Sequence, residues 1–285
     1  MIHIAILAAL PEEYRPFQRL FGTWRQLIRQ PFPVFFQRTG ECELFLVETG
    51  MGNQQAEDAA GHVLTMTPLD LMISTGFAGS LCRDLPVGQV VRADKLASWS
   101  PTAAIPVTDK FRVSDAPRFV TFCEVFRVQP VRVLTLERPH SKTELAEFSR
   151  SIPTVIDMES TVVAEMAYRQ GVAFLCLRAV SDAHGDAIDW DLGAIVDSRG
   201  RVRIPKVLST SLRRPALLAS FYDLWRSSRK AGRRLAETLS ALLRLPEDDL
   251  QALIRELRLL PLTSTGSQHS ANEGKPTDDP EPPKP

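Results

Sequence analysis

The sequence predicts a layered α/β domain with a central mixed, mostly parallel sheet flanked by helices, followed by a C-terminal helical appendage. Three observations predict this architecture. Continuous apolar runs, typical of strands buried on both faces, recur through the first 180 residues. Segments with a helical pattern separate those runs, and strands that alternate with helices favour a layered domain. Beyond residue 198 only helical patterns follow.

The elements are predicted from these apolar patterns and from the residues that flank them. Three helices are predicted; the first follows a glycine turn, the second begins after Pro139, and the third ends at Gly171, which is typical of a C-cap. These helices occupy residues 54–66, 141–149 and 159–170. The predicted strands occupy residues 2–10, 44–48, 69–75, 87–93, 131–136, 154–156 and 173–180.

Charge and composition divide the chain into three predicted parts. Residues 1–198 carry 18 Lys/Arg and 24 Asp/Glu, a balance of −6, whereas residues 199–260 carry 14 and 6, a balance of +8. The second part is therefore a basic helical appendage. Residues 261–285 contain almost no apolar side chains, so we expect a disordered tail. The helices of the appendage, which begin near prolines, are predicted over residues 204–212, 215–245 and 246–259.

The bulk composition excludes several classes of protein. Apolar residues make up 44% of the chain and charged residues 24%, as in ordinary globular proteins. The four cysteines form no CxxC pair, which argues against a zinc or redox site, and no metal cluster or cofactor fingerprint is visible. No uncharged apolar stretch reaches the roughly 18 residues that a spanning helix requires. The N-terminal apolar run also lacks the features of a signal peptide, so we expect a cytoplasmic protein.

The first candidate site residues follow the first strand. In the stretch IAILAALPEEYRPF an apolar run leads directly into Glu12 and Glu13. Carboxylates in this position commonly interact with the N-terminus of a helix, so a purely structural role is the alternative to a catalytic one.

Two glycine turns each close a predicted strand. Gly50 and Gly52 lie in ETGMGNQQA, and Gly76 and Gly79 lie in ISTGFAGSL. Glycine allows backbone amides to approach a ribose, a phosphate or a base edge closely, although tight turns alone also require it. Neither turn forms a GxGxxG after the first strand, so the sequence gives little support for a dinucleotide fold.

The third stretch combines two further acidic residues. Met158 and Glu159 open a predicted helix, and Ser181 and Asp182 end the apolar strand that includes AFLCLRAV. A carboxylate after so apolar a strand favours a functional role, with the capping of a following turn as the alternative. Ligand sites in open α/β sheets collect at such strand ends.

With these stretches in this order, the sequence resembles the nucleoside phosphorylase-I superfamily, and within it the 5'-methylthioadenosine/S-adenosylhomocysteine nucleosidases. The resemblance covers about residues 1–190. It is carried by the acidic turn after the first strand, the TGFAG turn, the DMES element and the RAVSD strand end. It implies that residues 1–198 form a catalytic domain that cleaves the N-glycosidic bond of a 5'-substituted adenosine and releases adenine.

The resemblance also implies roles for individual residues. Glu13 would activate the attacking water, and Asp182, supported by Ser181, would protonate or hydrogen-bond N7 of the purine. The ribose hydroxyls would be bound by Glu159, with Met158 packed against the sugar. The turn formed by Thr75, Gly76 and Phe77 would line the sugar and nucleophile site.

This chemistry is physically reasonable because the departing adenine is a poor anion and the ribosyl group becomes cationic in the transition state. An aspartic acid would need its pKa raised by about 3 units to remain protonated near neutrality. Burial behind an apolar strand is the expected cause of such a shift.

Some features depart from the family pattern. The stretch STGFAG lacks the arginine with which phosphorolytic members hold phosphate, which favours water as the nucleophile, although Arg15 or Arg38 could still contact inorganic phosphate as a co-substrate. The loop that should cover the base, residues 136–140, reads LERPH, without the usual aromatic residue. Phosphorolysis of a purine nucleoside therefore stays open, as does a non-catalytic nucleoside-binding protein.

The basic appendage resembles the C-terminal region of hopanoid-associated phosphorylases, which act on the lipid adenosylhopane. Five basic residues cluster near apolar residues at helical spacing, so the helix could contact an anionic membrane; a helix packed on the core with a solvated basic face is the alternative. The basic residues are Arg226, Arg229, Lys230, Arg233 and Arg234.

We expect a small nucleoside substrate and a homodimer, as in related enzymes. We expect no nucleic-acid partner, because no recognised nucleic-acid-binding module accompanies the basic charge.

Overall fold

A computed structural model describes residues 1–101, 107–138, 140–182 and 216–262 of the 285-residue chain. For residues 143, 146 and 216–225 it describes the backbone alone. The helix predicted over 204–212 and nearly all of the predicted tail lie outside the described residues.

The described residues form eleven strands in one sheet, together with α-helices and a short 3₁₀ turn at Ala146–Ser149. The strands are β1 (Ile2–Ala8), β2 (Arg25–Ile28), β3 (Val34–Thr39), β4 (Cys42–Glu48), β5 (Leu71–Ser80), β6 (Val90–Trp99), β7 (Val107–Val113), β8 (Gln129–Leu136), β9 (Thr154–Asp157), β10 (Ala173–Asp182) and β11 (Leu259–Pro261). The helices are α1 (Pro11–Phe21), α2 (Asn53–Met66), α3 (Pro117–Phe126), α4 (Lys142–Leu145), α5 (Ser160–Arg169), α6 (Ala216–Leu242) and α7 (Glu247–Glu256).

The sheet is mixed, which confirms the predicted fold class. Its order is β11-β7-β6-β8-β9-β5-β1-β4-β3-β2, and β10 pairs with both β5 and β6. Parallel pairing joins β4, β1, β5 and β10 in succession, whereas the two outer ends of the sheet are antiparallel. Because β10 bridges β5 and β6, the strands β5, β9, β8, β6 and β10 close into a ring.

The central strands are buried on both faces, as their continuous apolar sequences predict. Every described residue of β10 after Ala173 is buried, and β5 is buried except at Phe77, which is partly exposed. Helices α2 and α5 pack against each other and against the strands. The four cysteines are free, and Cys82 alone among them is partly exposed. None of the described helices is both long enough and apolar enough to cross a membrane.

The C-terminal helices pack on the same core as the rest of the sheet. Helix α6 contacts α1 and β10, and its side chains at Leu235, Leu239 and Leu242 are buried in the main hydrophobic cluster. Strand β11 continues the sheet by pairing with β7. The division of the chain at residue 198 stays a prediction, but the described part of the appendage is joined to the main core by extensive contacts.

The apolar pattern did not predict every element. Strand β7 has the sequence VTDKFRV, which mixes charged and apolar residues because one side of it is partly exposed, and β2 is a four-residue edge strand with mostly exposed side chains. Helix α1 contains Pro16, which obscures its helical pattern in the sequence. The predicted helix over 141–149 consists of α4 followed by the 3₁₀ turn.

Candidate active site

The carboxylate of Glu13 is held at the first turn of α1 and points towards β5. Its Oε2 accepts hydrogen bonds from the backbone N–H groups of Ala9 (2.8 Å) and Leu10 (3.0 Å), and its Oε1 accepts one from Phe77 N–H (2.8 Å). Burial raises the pKa of Glu13, and the three backbone donors and the nearby Arg178 guanidinium oppose that shift. The side chain therefore caps the helix and also fixes the position of a buried carboxylate against the glycine turn.

Gly76 provides the space that this arrangement requires. A Cβ atom at Gly76 would lie 2.6 Å from Glu13 Oε1 and 3.0 Å from Arg178 Nη1. The first distance is shorter than real Cβ contacts allow and the second is tighter than most of them, so a side chain at this position would displace the Glu13 carboxylate. The glycine of the TGFAG turn thus allows the Glu13 carboxylate and the Arg178 guanidinium to lie together beside the backbone of β5.

A buried ion pair lies beneath the glycine turn. Arg178 donates from Nε to Asp157 Oδ2 (2.8 Å) and from Nη2 to the hydroxyls of Ser74 and Ser160 (2.9 Å each). Asp157 also accepts from the hydroxyls of Thr135 (2.8 Å) and Ser160. Removing two charges from water is costly unless both are paired and hydrogen-bonded, as they are here. The pair holds a guanidinium rigidly within the site.

Glu159 lies just before α5 and closes one side of a pocket. Its Oε1 accepts a hydrogen bond from Gly52 N–H (2.8 Å), so the first glycine turn contributes to the same region. Burial and the negative charges of Asp157 and Glu13 raise the pKa of Glu159 to about 7, against the opposing effect of Arg178. The methyl group of Met158 lies 3.9 Å from the position of a Cβ at Gly52, so both residues of the DMES element border this turn.

The pocket beside Glu159 is lined by polar groups of β5 and by Arg178. Its walls include Ser74, Thr75, Glu159 and Arg178. Thr75 is 3% exposed, and among the described residues its hydroxyl has no hydrogen-bond partner. A buried polar atom without a partner is costly in a native protein and is expected where a ligand completes the bonding.

Asp182 ends β10 on the other side of the glycine turn. Its Oδ1 accepts a hydrogen bond from Ser181 Oγ (2.7 Å), and its Oδ2 forms an ion pair with Lys142 Nζ. Lys142 Nζ also donates to the backbone oxygen of Asp182 (3.2 Å). The carboxylate is 8% exposed, and the ammonium that contacts it supplies the opposite charge that a buried acid needs.

The structure brings the sequence-predicted residues to one end of the sheet, around residues 74–79 of β5. Glu13 contacts β5 through Phe77 N–H, and the hydroxyl of Ser181 approaches Ala78 O at 3.5 Å. Asp182 is in register with Gly79. The carboxylates of Glu13 and Glu159 are close enough to influence each other electrostatically. The strand end thus gathers three acidic side chains that are distant in the chain.

Sequence reasoning missed Arg178, Asp157 and Lys142. A signal for Arg178 was present, because it is the one charged residue in the apolar strand AFLCLRAV, and a charge there must be paired inside the core. Asp157 directly precedes Met158 and Glu159, the two residues of the DMES element that are predicted to bind the substrate. Lys142 carried no such signal, since it lies 40 residues before its partner, at the start of the short helix α4.

Of the two arginines proposed to contact phosphate, Arg15 follows Glu13 by two residues on α1, whereas Arg38 lies on β3. Arg38 is in register with Glu43 on β4, which is in register with His3 on β1. His3 is five residues before Ala8, where β1 ends, so Arg38 lies about 16 Å along the sheet from the site end. Within one chain, the register of the antiparallel strand β3 places Arg38 towards the opposite end of the strands from this site, and its contact with phosphate stays a prediction. Arg15 is exposed on α1.

The loop expected to cover the base has an aromatic neighbour from another strand. The ring of His140 packs edge-on against Trp99, with 4.2 Å between the ring centroids, and His140 Nδ1 lies 3.6 Å from Glu144. The loop that reads LERPH therefore lies beside an indole supplied by the end of β6. In the part of the chain that the structure describes, no group of three His, Cys, Asp or Glu residues could hold a metal ion.

Comparisons with known proteins agree with this architecture. The model of the phosphorylase superfamily matches residues 3–202. A 5'-methylthioadenosine/S-adenosylhomocysteine nucleosidase of Listeria monocytogenes is 23% identical over 203 residues, covering 63% of this chain and 85% of the relative. A protein of the same name from Haemophilus influenzae is 24% identical over 195 residues with the same coverage.

Solved structures share the fold. The 5'-methylthioadenosine/S-adenosyl homocysteine nucleosidase of Helicobacter pylori, complexed with a substituted pyrrolidin-3-ol, superimposes with a TM-score of 0.62 at 17% identity, and the match covers 85% of this chain and 97% of that structure. The S-adenosylhomocysteine nucleosidase of Streptococcus pyogenes, in complex with a methylthiotubercidin, gives 0.62 at 20% identity, with 86% and 98% covered. A futalosine hydrolase mutant of Helicobacter pylori gives 0.61 at 17%, with 85% and 100% covered.

Proposed function

Because this chain belongs to the phosphorylase superfamily, we propose that it hydrolyses the N-glycosidic bond of a 5'-substituted adenosine and releases adenine. The observation that carries the proposal is the position of Glu13, Glu159 and Asp182 around one end of β5, with the guanidinium of Arg178 close to Glu13 and Glu159. The relatives named above are nucleosidases of methylthioadenosine and S-adenosylhomocysteine, which supports the substrate class.

Glu13 is the residue that activates the nucleophile. Three backbone donors fix its carboxylate, so it does not need to reorganise when it takes a proton from the attacking water. Burial raises its pKa, which makes its ionised form a stronger base than an exposed glutamate.

Glu159 is the residue that binds the ribose. An ionised carboxylate accepts hydrogen bonds from the 2' and 3' hydroxyls, and each charged hydrogen bond contributes about 1.5 to 3 kcal/mol. Negative charge at this position also stabilises the cationic ribosyl group of the transition state. Thr75, Gly76, Phe77 and Met158 complete the walls around the sugar.

Asp182 acts at the departing base. It hydrogen-bonds N7 of the purine, and the Ser181 hydroxyl holds its other oxygen in place. Protonation at N7 lets the base leave as a neutral molecule, which is required because adenine is a poor anion.

The charges of the site favour water over phosphate as the nucleophile. The positive charge of Arg178 is balanced by Asp157, with which it shares two contacts of 2.8 Å. Glu13 and Glu159 add negative charge beside the same pocket. A phosphate dianion would be repelled there, whereas neutral water would not. Phosphorolysis would need a further cation, and Arg38 of the same chain is too far away to provide it.

The proposal extends to the cellular location of the enzyme, its oligomeric state and its contact with a membrane. We place it in the cytoplasm as a homodimer, to be tested by light scattering on a size-exclusion column. A lipid-linked adenosine such as adenosylhopane is a candidate substrate. The basic residues of α6 at positions 226, 229, 230, 233 and 234 are exposed, which supports contact with an anionic membrane.

The proposal is tested with purified protein and three substrates: methylthioadenosine, S-adenosylhomocysteine and an adenosyl-lipid analogue. We expect free adenine and the free sugar, at the same rate with and without phosphate. Glu13→Gln should lower kcat by at least about 100-fold, the contribution typical of general base catalysis. Formation of ribose 1-phosphate derivatives would contradict the choice of water, and the absence of base release from all three substrates would contradict the function.

A further inference from the structure

Lys142 forms an ion pair with Asp182 in the interior of the site. Its Nζ contacts Asp182 Oδ2 and also donates to the backbone oxygen of the same residue at 3.2 Å. The two side chains are 11% and 8% exposed. A lysine so deeply buried is rare and needs a specific partner, because its ammonium loses hydration.

The fold around the pair leaves space for both side chains. A Cβ atom at Gly79 would lie 2.8 Å from Asp182 Oδ2 and 3.3 Å from Lys142 Cε, so this glycine opens the space in which the two groups meet. Ile156 Cγ1 borders the same space at 3.1 Å from that Cβ position. The ion pair therefore lies against the TGFAG turn, beside the backbone that the proposed function assigns to substrate binding.

We propose that Lys142 supplies, through Asp182, the proton that N7 of the departing purine takes up. This inference rests on the proposed function. Sequence reasoning assigned the proton to an Asp182 kept neutral by burial, but an ammonium contacts that carboxylate instead. The proton is thus already stored in the site, on the lysine rather than on the acid.

The step balances in protons and electrons. The C1'–N9 bond breaks and its electron pair stays with the purine. The ammonium of Lys142 gives its proton to the ionised carboxylate of Asp182, and Asp182 passes a proton to N7, so the lysine ends as a neutral amine and the aspartate is again ionised. Water adds to C1' and gives its proton to Glu13, and exchange with solvent then restores both residues.

Two titratable residues flank Lys142 on its own segment. His140 and Glu144 each lie two residues from Lys142 in the sequence, and they contact each other at 3.6 Å. Gly79 of β5 and Ile156 of β9 bring no titratable group, and β10 contributes Asp182 itself. A His140→Gln variant therefore separates any effect of the histidine on the pH profile from that of the lysine.

Two variants distinguish proton supply from a merely structural ion pair. Lys142→Ala removes the proton and the charge. Lys142→Arg keeps a positive charge next to Asp182, but a guanidinium does not release its proton in proteins. Lys95→Ala is the matched control, because Lys95 also forms a partly buried ion pair, with Asp109 at 3.8 Å on the same sheet.

The experiment measures kcat and KM for methylthioadenosine from pH 5 to 10, with thermal melting to verify folding. For both Lys142 variants we expect kcat at pH 8 to fall by roughly 100-fold or more, with KM within a few fold of wild type. The loss should shrink towards pH 5, where protons from the solvent are more abundant and can replace the one that the lysine supplies. The Lys95 variant should keep the wild-type profile.

The outcomes separate this inference from the proposed function. If wild-type protein releases adenine but Lys142→Arg keeps the wild-type kcat and pH profile, the lysine only balances charge and the inference is overturned. The same holds if Lys142→Ala loses activity equally at every pH. If wild-type protein releases no base at any pH, the proposed function fails and the inference fails with it.

Discussion

At the residue scale, the contact between Gly76 and Glu13 determines whether the nucleophile can be activated. Replacing Gly76 with Ala would place a Cβ atom 2.6 Å from Glu13 Oε1, so the carboxylate must move. Because misplacement by about 1 Å can cost 100-fold in rate, we expect kcat to fall by roughly that factor. The steady-state rate of adenine release, compared with that of the wild-type protein, measures this fall in kcat.

The matched control for this substitution is Gly61→Ala. A Cβ atom at Gly61, within α2, meets its nearest neighbour, Met166 Cε, at an ordinary 3.7 Å. This variant should keep full activity and gain about 0.5 to 1 kcal/mol in stability, because alanine favours a helix over glycine. Equal activity of the two variants would show that Gly76 does not control the position of Glu13.

The pKa of Glu159, raised to about 7, predicts a pH dependence of ribose binding. A raised pKa means that the carboxylate is ionised only above about pH 7 and is neutral below it. A neutral acid accepts hydrogen bonds poorly, so affinity for an uncleaved analogue such as methylthiotubercidin should weaken as the pH falls through 7. Calorimetric titration between pH 5.5 and 8.5 measures this change.

Glu159→Gln should remove that pH dependence and lower affinity at pH 8 by about 10- to 100-fold. Glu165→Gln is the control, because Glu165 lies on the same helix but pairs with Arg169 at the surface. Retention of the pH dependence in Glu159→Gln would mean that another group governs binding.

The buried pair between Arg178 and Asp157 should be important for stability as well as for the site. Arg178→Met would leave Asp157 charged and without its cation, which typically costs 3 to 5 kcal/mol. The double variant with Asp157→Asn should be less destabilised than the sum of the single variants. Urea unfolding of the four proteins measures the coupling, and simple additivity would contradict it.

At the element scale, α6 supports the helix that carries Glu13. A Cβ atom at Gly232 would lie 3.0 Å from Glu12 O and 3.5 Å from Phe77 Cζ, so α6 approaches both the backbone of α1 and the glycine turn. The absence of a side chain at this position allows the close packing of the two helices.

Gly232→Val should therefore separate α6 from α1. We expect a loss of about 1 to 3 kcal/mol in stability, as for other overpacked sites, together with lower kcat because the start of α1 moves. Arg233→Val is the control, since its side chain is exposed on the next position of the same helix. The glycine variant should show both a lower melting temperature and slower adenine release. The arginine variant should be unchanged in both measurements.

At the scale of the whole molecule, the C-terminal helices complete the core. Without α6, the buried faces of α1 and β10 would be exposed to water. A chain ending at residue 215 should therefore be insoluble or unfolded, whereas a chain ending at residue 262 retains every described element. Expression and thermal melting of the two chains test this, and a folded, active 1–215 fragment would show that residues 216–262 are a separable appendage.

Much of the fold could be predicted because the buried strands carry long apolar runs. The seven predicted strands lie at β1, β4, β5, β6, β8, β9 and β10, with ends that differ by a few residues. Strands β2, β3, β7 and β11 were missed because they are short or carry polar residues on an exposed side. Such strands are stabilised by their neighbours rather than by their own sequence.

The candidate site could be predicted in part, because some of its residues lie near the ends of elements that the sequence predicts. Glu13, Glu159 and Asp182 lie at or within three residues of the ends of regular elements, so local pattern and family resemblance identified them. Arg178 was identifiable in principle, since a charge inside an apolar strand implies a buried partner. Lys142 was not, because its importance depends on a contact with a residue 40 positions away.

The sequence by itself determined the α/β class, the positions of its main strands along the chain and the acidic residues near their ends, because apolar patterning and turn formation are local properties of the chain. The tertiary structure decided which charges meet. It placed Arg38 far from the pocket, paired Arg178 with Asp157, and brought Lys142 against Asp182. Electrostatic interactions depend on distance and burial, and both are properties of the folded chain rather than of the order of its residues.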